Sequence, residues 1–277
     1  MRAAYEAFEF HRVYHLLNEF LNSELSAFYL DVLKDRLYTY PIKFKPGRPP
    51  FKPGLPSQED LYLARRSAQT AIYKITDALA RLTAPILSFT AEEVYQSLPH
   101  THTSVHLTLF PEPEEIFEGD TSNLTEDWRV LLNIRKQALG AIERARQEKE
   151  IGKALEAVVR IQSHQQFHGF LQKYKPALGE LFSVSHVEVN EAWQSELGTI
   201  VSHVALEEVG EDKFEIIRAD LYSDNTKCER CWRYTNDVGK QERYPTVCLR
   251  CAEALDAIDF APYSTTATKS YSRLGDK

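Results

Sequence analysis

Cys228-Glu229-Arg230-Cys231 and Cys248-Leu249-Arg250-Cys251 are two C-x-x-C pairs with sixteen residues between them, and they use all four cysteines of the chain. Thiolates at this spacing can close a tetrahedral four-sulfur zinc site, in which the ion holds the fold and keeps no open position for catalysis. Two disulfides, or four unrelated thiols, are the competing reading. It is the weaker one, because both halves carry the knuckle spacing at once. One structural Zn2+ on Cys228, Cys231, Cys248 and Cys251 is therefore expected. Lys227, Arg230, Trp232, Arg233 and Tyr234 place cations and aromatic rings on and directly after the first knuckle. Cations reach phosphates and rings stack on unpaired bases, which is the chemistry of single-stranded RNA recognition. Packing of Trp232 beneath the metal, as core for a small zinc ribbon, competes with stacking on equal terms.

No other catalytic chemistry is spelled out. The sequence has no G-x-x-x-x-G-K-[ST] loop, no G-x-G-x-x-G and no G-x-S-x-G. The metal takes every thiol, so no cysteine nucleophile is left. His11 and His15 stand four apart and could share a helix face, but no third ligand lies nearby, and a polar surface pair is the expectation.

Composition sets the frame for these residues. At 277 residues, with 43% hydrophobic and 26% charged residues, the chain reads as a soluble protein of about two domains. It has no apolar run long enough to span a bilayer and no charged-then-apolar leader at Met1, so the expected compartment is the cytoplasm. Four clustered cysteines suit a reducing environment. The net charge of −7 excludes an indiscriminate nucleic-acid coat, yet the charge is unevenly spread. Residues 111–127 carry seven acids and no base, residues 129–153 seven bases against three acids, and residues 227–250 six bases against three acids.

The elements that must position the knuckles read as follows. Residues 3–38 have helical periodicity, with Val13, Leu16, Leu17 and Phe20 on one stripe and a break expected at Asn22-Ser23, where Ser23 would cap a second helix. Residues 41–60 hold six prolines and two glycines and are basic (Lys43, Lys45, Arg48, Lys52), which predicts a surface loop in preference to the alternative, a partner-binding arm. Helix resumes at Glu59, with Arg65 and Arg66 near its start and Ile72, Ile75, Leu79 and Leu82 as a buried stripe. Thr83-Ala84-Pro85 punctuates it, and a further helix begins near Phe89. One long helix over 126–149 should bury Leu131, Ile134, Ala138, Ile142 and Ala145, and end or bend at Ile151-Gly152-Lys153. The period then changes to two, predicting strands at 157–161, 186–189, 199–206 and 214–217, with helix over 165–182.

The expected fold is mainly α: an antiparallel helical bundle, a long helix, a small α/β module and a four-cysteine zinc knuckle. The expected boundaries are 1–110 for the bundle with its loop at 41–60, then 111–126 for an acidic linker. Residues 127–225 take the long helix and α/β module, 226–258 the knuckle, and 259–277 a disordered tail.

Particular stretches resemble a known family. YEAFEFHRVYHLLNEFLNSELSAFYLDVLKDRLYTY and RRSAQTAIYKITDALARLTAPILSFTAEEVY look like the anticodon-binding bundle of bacterial isoleucyl-tRNA synthetases. LLNIRKQALGAIERARQEKEIGKALEA resembles the long helix that follows in those enzymes, and KCERCWRY with CLRC resembles their C-terminal zinc knuckle. The related valine, leucine and methionine enzymes share the bundle type; EKEIGKALEA with CERCW favours isoleucine. The resemblance covers some 250 residues, and it departs from the family in two ways. The H-x-G-H and K-M-S-K-S signatures of the ATP-using catalytic half, and the editing domain, do not occur here. Where the family runs briefly from LYTY to RRSAQT, this chain has the basic proline-rich run. The resemblance implies a part that recognises isoleucine tRNA in protein biosynthesis, inactive alone, with a separate catalytic half as a partner and no membrane or DNA partner. It makes Arg230, Trp232, Arg233, Arg65 and Arg66 the candidate RNA contacts and the four cysteines the metal ligands. A free-standing zinc-containing RNA-binding or scaffold protein is the alternative. A DNA-glycosylase-like finger protein is a remoter one, because the N-terminal proline nucleophile of those enzymes is replaced by Met1-Arg2.

Overall fold

The computed structural model describes residues 1–53, 56–99, 102–117, 122–163, 165–191, 200–206 and 210–261. The tail beyond 261 and part of the acidic linker, at 118–121, lie outside the described residues. The chain is mainly helical, with a small sheet ahead of a four-cysteine cluster, which is the fold class expected. It divides into two compact units, one of Met1–Tyr38 with Leu63–Asn133, the other of Thr39–Tyr62 with the chain from Ile134 onward. Residues 41–60, expected as a loop of the bundle, group with the second unit.

The helices in chain order are α1 (Arg2–Glu6), α2 (Phe10–Glu19), α3 (Leu30–Thr39), α4 (Gln58–Thr83), α5 (Ser88–Gln96), α6 (Pro113–Ile116) and α7 (Ser122–Gln147). The break expected at Asn22-Ser23 is absent. Phe20–Tyr29 is instead a ten-residue π-helix that joins α2 to α3. Its i→i+5 ladder keeps the backbone donors paired through the widened turns, so Ser23 has no orphan N–H to cap. The first unit packs on small side chains, which let backbones approach closely: Ala80, Ala84 and Ala91 with Tyr95 and Val105. The stripe Ile72, Ile75, Leu79 and Leu82 is half-buried, while Ala78 and Ala80 on the same helix are fully covered. Glu92 accepts hydrogen bonds from Val105 N and Ser104 Oγ, both at 2.9 Å, and so pins the short 3-10 turn Val105–Leu107 against α5. These bonds, with a larger contribution from the Gln96 amide, hold its carboxyl below the usual carboxylate range.

The long helix α7 buries the face its spacing predicts, with Ala138 and Ala145 at 0% exposure and Leu131, Ile134 and Ile142 at 3% or less. Its end falls earlier than expected. Lys149 takes the left-handed conformation (φ 61°), Glu150 N donates to Ala145 O, and Lys149 N to Arg146 O. This pair of bonds satisfies the last carbonyls without needing Gly152.

All four strands lie where period-two patterning put them: β1 (Ala157–Gln162), β2 (His186–Asn190), β3 (Ile200–Leu206) and β4 (Gly210–Arg218), with α8 (Gln165–Leu181) between the first two. The sheet order is β2-β1-β4-β3. β1 runs parallel to β2, with α8 in the connection, and β4 runs antiparallel to both β1 and β3. The central position of β1 explains its continuous apolar run, because both of its faces are covered and Val158, Val159 and Ile161 are at 0% exposure. Arg160 interrupts that run to reach Glu188 on β2 at 2.9 Å. Burial would raise the Glu188 carboxyl, but the Tyr222 hydroxyl and Arg160 donate to it and hold it below the usual range.

Candidate metal centre

The first knuckle is the turn of a short antiparallel hairpin, β5 (Thr226–Lys227) with β6 (Tyr234–Thr235). Cys228 N donates to Arg233 O and Trp232 N to Cys228 O, both at 2.9 Å, which folds the chain tightly around the first two sulfurs. The second knuckle opens α9 (Leu249–Ala257), with Cys248 at its N-cap and Cys251 in its first turn. The positive end of a helix dipole favours anionic sulfur at both positions. Between the knuckles Gly239 turns the chain back at φ 79°, and a Cβ there would stand 3.0 Å from Pro245 O, so no larger residue fits without a shift.

These turns bring the four thiols together. All four are buried, and their sulfurs lie within 4.8 Å of one another. Cys231 Sγ and Cys248 Sγ are 3.8 Å apart. A tetrahedral ion with bonds of about 2.3 Å needs sulfur–sulfur edges of about 3.8 Å, which the Cys231–Cys248 edge matches, so the donor set suits a four-thiolate zinc. Cys248 N donates to Cys228 Sγ at 3.3 Å, and Arg230 Nη1 approaches Cys251 Sγ at 3.6 Å. Donors of this kind stabilise thiolate and fix ligand orientation. Hydrogen bonds from Cys231, Cys248 and Cys251 push the Cys228 thiol far below its ordinary range. Cys231 is raised by Cys228 but lowered more by Cys248 and Cys251, and comes down to about 6. Contacts with Cys228 foremost, and then with Cys231, push Cys248 and Cys251 up.

The ring that packs against the sulfurs is Tyr244, at 0% exposure, together with Val247, Ala252 and Leu255. Packing of Trp232 beneath the metal is therefore not what the fold does: Trp232 is 58% exposed. It also sits in the left-handed region at φ 64°, which costs a bulky residue about 1–2 kcal/mol. Arg233 beside it is half-buried. Arg230 is committed to the fold as well as to sulfur, because its guanidinium donates to Thr39 O. Arg65, in the first unit, donates to Leu37 O and Arg36 O, the last carbonyls of α3, and so closes that helix. Arg66 is exposed and donates to Gln69 at 3.0 Å. His11 and His15 are exposed and belong to no metal-capable cluster among the described residues. The sequence pattern does not mark Tyr244, Glu253 and Asp256 as buried; Glu253 and Asp256 find partners in Lys45, Arg48, Phe51 and Gln58, far off in the chain.

Fold and cluster together define a class. The family described as the anticodon-binding domain of tRNA ligase matches residues 1–161, more than half of the sequence, and this chain belongs to that family. The zinc finger found in FPG and IleRS matches residues 226–254, from β5 into α9, and with the four-thiol cluster it marks a zinc-binding region. Among relatives, the chain is similar to the isoleucine–tRNA ligase of Natranaerobius thermophilus, 38% identical over 91% of this chain and 24% of the relative. It is 37% identical to that of Fervidobacterium nodosum over the same shares, and 36% identical to that of Carboxydothermus hydrogenoformans over 94% of this chain and 25% of the relative. The chain spans about a quarter of the length of these curated relatives. The family expected from the bundle and knuckle motifs is the one found.

Proposed function

We propose that this chain is the tRNA-recognition part of an isoleucine–tRNA ligase, gripping the anticodon side of isoleucine tRNA. The observation that carries the reading is the joint match of residues 1–161 to the anticodon-binding family and of residues 226–254 to the finger shared with isoleucine enzymes. The bundle match also separates this reading from the DNA-glycosylase alternative, which shares only the finger. One zinc ion is bound by Cys228, Cys231, Cys248 and Cys251 as a structural centre; when bound, it supplies rigidity to the knuckle and no reaction chemistry. Exposed Trp232 with Arg233 in the second unit, and Arg66 separately in the first, make RNA contacts. A large ring held in a strained backbone conformation and left to solvent suits stacking on an unpaired base and supports this reading. The bundle's exposed apolar side chains Phe8, Phe10, Phe89 and Leu109 are where a separate catalytic part docks. The chain works in the cytoplasm, where tRNA is charged for protein synthesis. No described helix is long and apolar enough to cross a membrane.

Titration of the purified chain with isoleucine tRNA and an unrelated tRNA, at low and moderate salt, tests this. Isoleucine tRNA should bind more tightly, with affinity falling steeply as salt rises. Trp232→Ala should weaken binding by about tenfold, the effect of losing one stacked base. Pyrophosphate exchange with isoleucine should be at background. Equal affinity for both tRNAs, or adenylate formation by the chain alone, would overturn the reading.

A further inference from the structure

The basic proline-rich run closes over the thiol cluster from outside the finger. The two residues that lead into it each meet one knuckle. Arg230, third in the Cys228–Cys231 turn, donates to Thr39 O. Arg250, at the matching place between Cys248 and Cys251, sets its guanidinium 5.1 Å from the centre of the Tyr40 ring. Tyr40 is fixed in turn by its hydroxyl, which donates to Glu180 on α8.

The run then lies against α9. Lys45 Nζ is 3.5 Å from the Asp256 carboxylate and 2.7 Å from that of Asp259, and Arg48 also pairs with Asp256. Phe51 N donates to the Glu253 carboxylate while its ring packs against the sulfur-bearing core. Gln58 completes the contact, donating to Glu253 O at 3.1 Å and accepting from Lys45 N at 3.1 Å.

These contacts answer a problem that α9 creates for itself. Every residue of this helix except half-buried Arg250 is buried, including Glu253 at 1% and Asp256 at 7% exposure. A helix buried on all faces needs neighbours on all faces, and buried carboxylates are tolerated only when paired. Arg243 gives Asp256 one partner from within the finger, at 3.3 Å. The remaining partners come from the proline-rich run. Among the described residues Glu253 Oε2 has no hydrogen-bond partner, and the Phe51 N–H on Oε1 is a donor to this carboxylate from outside its helix. Prolines suit a segment with this role, because each fixes φ and lowers the entropy lost when the run is ordered.

We propose that Thr39–Phe51, with Gln58, is a strap that positions both knuckles and thereby retards loss of the metal. The proposal rests on the zinc reading given above. An ion leaves a four-sulfur cage only when the knuckles part. Cys248 and Cys251 move with α9, so parting them breaks the Lys45, Arg48, Phe51 and Gln58 contacts as well.

The test uses the whole chain, purified with zinc, and follows transfer of the metal to a chromophoric chelator. Lys45→Gln/Arg48→Gln and, separately, Asp256→Asn should each release zinc about tenfold faster, the size of effect typical of groups in direct contact. Combining all three should give less than the product of the two accelerations, because they remove the same pairs. Lys43→Gln/Lys52→Gln removes equal charge from exposed positions of the same run and should leave the rate unchanged. If the double variant does not accumulate, Arg48→Gln alone is read in the same way. Release at the unmodified rate in the strap variants, or equal acceleration in Lys43→Gln/Lys52→Gln, would overturn the strap. A chain that carries no zinc by elemental analysis would overturn the metal reading first, and the strap with it.

Discussion

Cys228 does more than present one sulfur: its N–H holds Arg233 O, its carbonyl holds Trp232 N, and its sulfur accepts the Cys248 N–H that starts α9. Replacing it by serine removes a soft ligand and leaves three thiols that cannot close a tetrahedron. Structural zinc contributes on the order of 10 kcal/mol to small modules of this kind, more than the finger's own few apolar residues can offset. Cys228→Ser should therefore lose bound zinc and amide-exchange protection across 226–260, while protection in α5 and in the part of α4 from Leu63 onward, both in the first unit, persists. Loss of the α4 and α5 protection too would show that the two units do not fold separately. The meeting of the four sulfurs was legible, because C-x-x-C spacing is a statement about which sulfurs can come together. Trp232 was not legible in the same sense, because a tryptophan serves equally as core or as contact. The choice between the two depended on Tyr244 filling the space under the thiols, and no spacing rule marks Tyr244.

The long helices and the four strands of the sheet followed from period, but helix ends did not. α1, α7, α8 and α9 all finish with a non-glycine residue in the left-handed region: Phe8, Lys149, Ser183 and Asp259, with φ between 51° and 61°. At each, the next residue's N–H reaches back five positions: Glu9 to Ala4, Glu150 to Ala145, Val184 to Gly179 and Phe260 to Leu255. A search for glycine finds none of these ends, and Gly152 drew the expected end of α7 past Lys149. The π-helix at Phe20–Tyr29 escaped for a related reason, since Asn22-Ser23 has the composition of a cap but its donors are already paired. Ser183→Gly should relieve the left-handed strain and stabilise the second unit by about 1 kcal/mol, less what glycine's freer unfolded chain takes back. The urea midpoint should rise with an unchanged slope. A lower midpoint would mean that the Ser183 side chain contributes more than the strain costs.

Across the whole molecule, the sequence order of segments and their grouping differ. Residues 39–62 interrupt the first unit and join the second, and residues 63–133 interrupt the second. Period and composition could not anticipate this, because each reads a window of neighbours. The partners of Lys45 and Gln58 on α9 lie 211 and 195 residues away. Only the charge of the run hinted at a role, and that role was open between a solvated loop and an arm.

The separation of Lys45 from Asp256 along the chain constrains synthesis. A contact that spans most of the chain cannot form until α9 has left the ribosome, and closing so long a loop is slow compared with local helix formation. The bundle should therefore be ordered while the metal site is still an open chain, with the strap seating last. In refolding monitored by pulsed hydrogen exchange, amides of α5 should gain protection in an early phase and Phe51 N–H in a later, zinc-dependent one. Simultaneous protection of both would show that the strap is part of the folding nucleus and not its final clasp.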